Sequence, residues 1–422
     1  MFGKVRIAIL SLSTLIVLYG VVGGYMEPVS ARDEAYRDLS VFTDVINKVR
    51  TEYVETPDME KTLRGALHGM IEALDGHSSF VEAEKYLSLA SREAAIASPG
   101  LILSKRYGYV YVVAVRPEGS AAREGLRTGD LLESIEGNVT TQMSLWEARN
   151  LMRGDPGSEV QVRVIRFRRS EPQELILERT VLAAQEVSAR MLDDGIGLLR
   201  IPELREGVSE SVRARLKMLI SAGLNGLLVD VRGTASGEFQ EAVRVADLFL
   251  EEGSVIGFRR DRVGRQEEFV AKEPSLLTGI PVIVLIDGGS SGPAEMLAAA
   301  VKENSVAEIV GERSNGHGSL QNQFDLSDGS VLFLSTHMFH RPGGAPIQGG
   351  ELRTSGIEPD LRVPAPEFVT SFYFENTSDE DEGEPAEEFY LKLDRAIEKE
   401  QLGAAVERLQ KRIQEKTLKK AA

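Results

Sequence analysis

The sequence predicts a multidomain α/β protein, and three observations carry that expectation. Residues 186–366 alternate apolar runs with amphipathic stretches, as in a sheet covered by helices. A Gly/Ser-rich elbow, Asp287-Gly288-Gly289-Ser290-Ser291-Gly292-Pro293-Ala294-Glu295, joins an apolar run at Pro281–Ile286 to a helical one at Met296–Val301. The length of 422 residues leaves room for two or three domains, and the flanking regions are patterned differently. Hydrophobic residues make up 42% of the chain and charged residues 27%, an ordinary globular balance.

At the N-terminus, Lys4 and Arg6 precede nineteen uncharged residues, Ile7 to Tyr25. Residues 1–31 therefore read as a signal anchor or a signal peptide. Val29-Ser30-Ala31 resembles a small-residue cleavage site. The length of the apolar run favours an uncleaved anchor. The basic flank would stay in the cytoplasm, which makes the remainder periplasmic or extracytoplasmic, anchored to the inner membrane by residues 7–25.

Residues 33–95 read as a helical region. Leu39, Phe42, Val45, Ile46 and Val49 recur at helical spacing, as do Leu63, Leu67, Met70 and Ile71. Asp75-Gly76-His77-Ser78-Ser79 then breaks the pattern. His77 could be a catalytic base, but the preferred reading is a helix-ending turn whose polar side chains bond nearby backbone.

Residues 97–183 follow an ordered series. Gly100-Leu101-Ile102-Leu103 precedes a strand at Val110–Val115, and Pro117-Glu118-Gly119-Ser120-Ala121-Ala122 leads to Gly125-Leu126-Arg127-Thr128-Gly129-Asp130-Leu131. A helix at Ser144–Arg153 and a strand at Val160–Val164 complete it. The series resembles a PDZ domain. That resemblance implies a groove that takes a protein or peptide C-terminus by strand addition, with Gly100, Leu101, Ile102 and Leu103 at the carboxylate.

The core, 186–366, begins with a strand at Ile196–Ile201. A helix at Val208–Ala222 is amphipathic through Val212, Leu216, Met218 and Leu219. The run Gly226–Arg232 reads as a buried strand opening into Gly233-Thr234-Ala235-Ser236-Gly237, with a helix at Phe239–Leu250. Residues 375–388 form an acidic linker. Leu402, Val406, Leu409 and Ile413 give helical spacing to a final helix, 389–418, that docks on the body or on another subunit.

A net charge of −16 argues against nucleic acid as a partner. With no cysteine, disulfides, thiol nucleophiles and Cys-ligated metals are excluded. His337 and His340, three apart on a strand, point to opposite faces, so no metal site is expected there, nor any cofactor elsewhere.

These residues together resemble the carboxyl-terminal processing peptidases, serine peptidases of family S41 with an inserted PDZ domain. Asp75–Ser79 is similar to the family's DPHSS and Leu228–Arg232 to its LILDLR. Gly316-His317-Gly318-Ser319-Leu320-Gln321 is similar to GKGSVQ, and Gly356-Ile357-Glu358-Pro359-Asp360 to GIEPD. The resemblance implies a ClpP/crotonase-like α/β core with an inserted PDZ domain and helical N- and C-terminal regions, the latter suited to a homodimer. It also implies a Ser/Lys dyad supported by a Gln.

Carried across residue by residue, the dyad is missing. The elbow GSASASE places its nucleophile at Gly292, and the general base falls at His317. The 25 residues between them match the family separation, so no shifted pair is hidden. Gln321 is retained, and the oxyanion region maps to Ser236, Gly237 and Pro293. The resulting expectation is an exported homologue that binds C-termini and has lost proteolysis. Two alternatives stand beside it: an active serine-type peptidase using Ser291 and His317 oriented by Gln321, and a PDZ scaffold or adaptor for another protease. For Ser290 and Ser291 the competing role is helix capping, preferred for Ser291. For His317 it is a polar residue filling the former lysine space.

Overall fold

The computed structural model describes residues 39–165, 171–349, 355–363 and 386–421. The proposed anchor at 7–25, the cleavage site at 29–31 and residues 375–385 of the linker lie outside them. Among the described residues no helix is long and apolar enough to cross a membrane.

The first of two units, Met1–Gly69, is described from residue 39. Its apolar stripe forms helix α1 (39–52), followed by α2 (Met59–Glu72), which runs into the second unit. Leu39, Phe42 and Val45 are exposed.

The second unit, Met70–Ala422, begins with a departure from the expected all-helical 33–95. After the turn at Asp75, Ser79–Val81 forms strand β1, buried at all three residues, before α3 (Ala83–Glu93). A β-branched and an aromatic residue gain more by joining a sheet edge than by extending a helix across Gly76.

The PDZ region comprises β2 (Ala97–Ser98), β3 (Leu101–Arg106), β4 (Tyr109–Val115), α4 (Ser120–Arg123), β5 (Leu131–Ile135), β6 (Asn138–Val139), α5 (Leu145–Met152), β7 (Glu159–Ile165), β8 (Gln173–Glu178) and β9 (Thr180–Val181). Its sheet runs β3-β4-β5-β7-β8, with β6 on β5, and β2 pairs with β9. Alternation fixes the faces: Val160, Val162 and Val164 of β7 are fully buried while the residues between them are exposed. Ser144 starts α5 with a capping box, its Oγ accepting from Glu147 N at 3.1 Å while Glu147 Oε2 accepts from Ser144 N at 2.7 Å. Strand β3 is an edge strand, and α5 packs beside it.

The core contributes β10 (Ser188–Met191), β11 (Ile196–Arg200), α6 (Val208–Ser221), β12 (Gly226–Asp230), α7 (Phe239–Asp247), β13 (Val255–Asp261), β14 (Gln266–Val270), β15 (Val282–Ile286), α8 (Pro293–Glu303), β16 (Ala307–Gly311), β17 (Ser319–Asp325), β18 (Val331–His340), β19 (Leu361–Arg362) and α9 (Ala386–Ala421). The main sheet runs β10-β11-β12-β15-β16-β19, parallel from β11 onward, with β10 antiparallel at one edge. Its central strands β12 and β15 are buried at every residue, as parallel strands covered on both faces must be. Helices α6, α7 and α8 pack on one face. Met218, grouped by spacing with the apolar side of α6, is instead 44% exposed. A second sheet, β1-β18-β13-β14 with β17 on β18, packs beside α8.

The other face of the main sheet is covered by α9. Ala405 and Leu409 are fully buried against Ile196, Leu228, Ile283, Leu285 and Val310. Gly226 makes the close approach possible, since a Cβ there would lie 2.9 Å from Ile413 Cδ1 and 3.1 Å from Leu409. The final helix thus docks on the chain's own body, and it extends beyond the expected 389–418 at both ends.

Candidate active site

Three neighbouring parallel strands, β12, β15 and β16, end on the same side of the sheet. Their carboxyl ends open into loops at 231–238, 287–292 and 312–318. Ligands of open α/β sheets bind outside such ends. The Asp287 carboxylate ties the first two loops together, accepting from Gly233 N at 2.8 Å and Gly289 N at 3.0 Å. Burial raises its pKa. Ser291 N donates to Thr234 O at 2.9 Å, and Asn315 N to Ser290 O at 3.0 Å, so all three loops are laced by backbone.

Gly292 sits at the centre. Its backbone lies at φ 58° and ψ −110°, and α8 begins at the next residue. This is the sharp strand-to-helix turn that exposes a nucleophile in serine hydrolases. A Cβ on Gly292 would lie 3.8 Å from His317 Nδ1. One C–O bond further out, a serine oxygen would fall within hydrogen-bond reach of the imidazole. The two sequence-matched positions therefore face each other, but the hydroxyl is absent.

Glu295 holds this geometry. Its side chain is fully buried and accepts four hydrogen bonds: from Gly292 N and His317 N at 2.8 Å, Gly316 N at 2.6 Å and Ser314 Oγ at 2.5 Å. One carboxylate thus joins the elbow to the loop that carries His317. Burial pushes its pKa up to about 7, against the pull of these donors.

His317 packs its ring into the site. Its ring stacks on His77, with centroids 4.1 Å apart and planes 15° from parallel. His317 Nε2 and His77 Nδ1 are buried without a hydrogen-bond partner among the described residues. Burial, then the charges of Arg149 and Arg106, lower the His77 pKa to about 3. Burial, then His77 and Arg149, hold His317 well below the usual imidazole range. The turn reading of Asp75–Ser79 is right for Asp75, whose Oδ1 accepts from His77 N at 2.7 Å and Ser78 N at 2.6 Å. It is wrong for the His77 ring, which reaches the site because β1 anchors the turn against β18.

The serines of the elbow do not cap α8, contrary to expectation, because Gly292 occupies the N-cap position and Glu295 supplies the side-chain acceptor. Ser290 Oγ donates to Val231 O at 2.8 Å. Ser291, 3% exposed, accepts from Asn315 Nδ2 at 3.0 Å. Among the described residues no hydrogen bond joins Ser291 to His317. Gln321 does not orient His317 either. Its Nε2 donates to Ser319 Oγ at 2.8 Å and to Ser335 Oγ at 3.0 Å, and Ser335 N donates to Ser78 Oγ. It therefore steadies the His77 turn from behind.

Pro293 occupies the residue after the nucleophile position, whose backbone N–H forms half of an oxyanion hole at such elbows. Proline has no N–H. Ser236 and Gly237 line the cleft above, with Gly237 bridged to Leu204. That cleft, of about 480 Å³, runs unbroken into the PDZ groove. Leu101, Ile102, Leu103, Arg149, Met152 and Arg153 line it from one side, and Ser291, Asn315 and His317 from the other. Gly100, at φ 90°, precedes the groove strand and packs against Gly119. Asn315 ties the halves together: its Oδ1 accepts from Tyr111 Oη at 2.8 Å and its carbonyl from Arg106 at 2.9 Å. Sequence reading missed Asn315, Arg149 and the anchoring role of Glu295. A lone acid inside the apolar run of α8 was the available signal for Glu295.

Comparison with known proteins identifies the family and the fold. Residues 195–363 match peptidase family S41, and residues 111–166 match a PDZ domain. A carboxy-terminal-processing protease of Bartonella bacilliformis is 32% identical over 336 residues, 78% of this chain and 76% of the relative. The chain belongs to peptidase family S41. Within the family, the carboxyl-terminal-processing protease of a Synechocystis species is 28% identical over 328 residues, 75% of each chain. The solved photosystem II D1 C-terminal processing protease shares the fold, with a TM-score of 0.63 at 23% identity, over 80% of this chain and 97% of the other. This S41 chain thus combines a peptidase core with a PDZ domain, and its site faces the groove across one cleft.

Proposed function

We propose that this S41 homologue captures protein C-termini in the PDZ groove and presents them to a site that does not cleave them by serine attack. The observation that carries the reading is Gly292, held in a nucleophile's backbone conformation opposite His317 with no side chain to attack. Pro293 supports it by removing an oxyanion donor. The bonding of Ser291 to Asn315 weighs against Ser291 as a substitute nucleophile. Export belongs to the same proposal, with residues 7–25 as the anchor, and the exposed stripe of α1 suits a second copy of the chain.

The test uses the purified full chain with an unstructured protein substrate and a fluorophosphonate probe. Neither cleavage nor labelling is expected, while a peptide with a free C-terminal carboxylate binds and its amide does not. Labelling that disappears in Ser291→Ala would overturn the reading in favour of a Ser291/His317 peptidase. Anchoring is tested by fractionating cells that express the chain with and without residues 1–31. Soluble recovery of both forms would remove it.

A further inference from the structure

The chain carries a net charge of −16, yet among the described residues no aspartate or glutamate lines the cleft between the PDZ groove and the site. Its charged lining residues are both arginines. Arg149 and Met152 share one face of α5, and Arg153, the residue that ends the helix in extended backbone, lines the same cleft. The Arg149 side chain is exposed to the cleft. Its guanidinium donates to a single backbone carbonyl, Leu103 O, from Nε at 3.3 Å and Nη2 at 3.0 Å. Arg153 Nη1 donates to Glu93 O at 2.8 Å. Among the described residues no carboxylate pairs with either arginine. Two cations lining one cleft, without a counter-charge, are stabilised by any anion that enters.

The position of that anion follows from strand geometry. A peptide that adds antiparallel to the open edge of β3 places its terminal carboxylate near Gly100–Ile102. Alternate side chains of an added strand point to the same face, so the last and third-from-last residues turn toward α5. The C-terminal end of α5 lies beside the start of the groove strand, since Gly154 N donates to Ala97 O. Arg149 lies one turn further along, level with Leu103. The incoming peptide N–H takes over the Leu103 carbonyl that Arg149 now holds, and the freed guanidinium turns to the peptide.

We propose that the cleft selects C-termini with an aspartate or glutamate two residues before the end, the side-chain carboxylate being held by Arg149 while the apolar terminal side chain meets Leu101 and Met152. This rests on the reading of the cleft as a C-terminus site, and the experiment separates the two.

Fluorescence anisotropy is measured on the full chain with N-terminally labelled ten-residue peptides ending in leucine. The third-from-last residue is Glu, Gln or Lys, and the Glu peptide is also made as the C-terminal amide. The Glu peptide is expected to bind at least about tenfold more tightly than the Gln peptide, with the Lys peptide weakest. Arg149→Gln should erase the Glu/Gln difference yet still bind the Gln peptide, which shows that the variant is folded. Arg149→Lys should retain part of the preference. Equal affinity of the Glu and Gln acids, with the amide much weaker, would overturn the proposal and leave C-terminus capture standing. If Arg149→Gln instead abolishes the acid/amide difference, Arg149 holds the terminal carboxylate and the side-chain assignment is wrong. Equal binding of acid and amide would remove the underlying reading itself.

Discussion

The imidazole rings of His77 and His317 lie face to face, 4.1 Å between centroids, although the residues are far apart in sequence. The stack joins the turn before β1 to the loop after β16, and it requires both rings to be neutral. Two imidazolium ions at this distance would repel each other beside the charges of Arg149 and Arg106.

A pH dependence follows. Both folded-state pKa values lie below 6.5, so between pH 6.5 and about 3 the unfolded chain binds more protons than the folded one. The stabilisation is present above pH 6.5 and is lost as pH falls, by at most about 1.4 kcal/mol per pH unit for each histidine. Glu295 acts in the opposite sense: its pKa is raised to about 7, so its contribution is present below about 4.5 and lost as pH rises through 7. The two trends oppose each other between about pH 4.5 and 6.5, and the fall steepens below that range. Urea midpoints of the native chain and of His77→Gln from pH 3.5 to 7.5 test this. An unchanged slope in the variant would contradict it.

Gly292→Ser places a hydroxyl opposite His317. At φ 58° a non-glycine residue costs about 1–3 kcal/mol, so the variant should be less stable. Fluorophosphonate labelling should appear, but slowly, because Pro293 offers no oxyanion donor. Gly292→Ser with Pro293→Ala should be faster by about 10²–10³, the worth of one such donor. Equal labelling rates for the two variants would show that the N–H of residue 293 has no part in the site.

Glu295→Gln keeps the size of the side chain but turns an amide NH₂ toward two of the four donors that surround it. A loss of about 3 kcal/mol is expected, since each unsatisfied buried group costs about 1–3 kcal/mol. Denaturant titration at pH 8 reads it directly. A loss below about 1 kcal/mol would mean that the loop is held by other contacts.

Most of the fold was legible because each segment is locally consistent. The continuous apolar runs of β12 and β15 could only be buried strands, and the glycine-rich turns between Gly100 and Asp130 marked the PDZ region in order. At Gly292 and His317 the assignment comes from the family resemblance, with the 25-residue spacing agreeing, and the structure sets these two positions opposite each other. The site was not legible at His77, Arg149 or Asn315, because their roles arise from contacts across long sequence separations. Nothing local to Asp75–Ser79 reveals that an edge strand will carry its histidine into a cleft built by the 312–318 loop. The serines misled for a related reason. Capping chemistry favours them, but the buried Glu295 already satisfies the start of α8.

Leu409→Ala tests the docking of α9. The side chain is fully buried against the sheet, so the cost should be about 2–5 kcal/mol. Met218→Ala, at an exposed position of α6, should stay within about 0.5 kcal/mol. Thermal melts of both variants make the comparison, and similar shifts for the two would mean that α9 is held only loosely.

The backbone at residue 292 has a wider consequence. Glycine chooses no conformation of its own, so the angles it adopts are imposed by the grip of Glu295 on its N–H and by the tether from Ser291 to Thr234. The mould of a nucleophile is therefore cast by its surroundings and not by the residue within it. Other side chains can therefore be set into that mould without reshaping the loop.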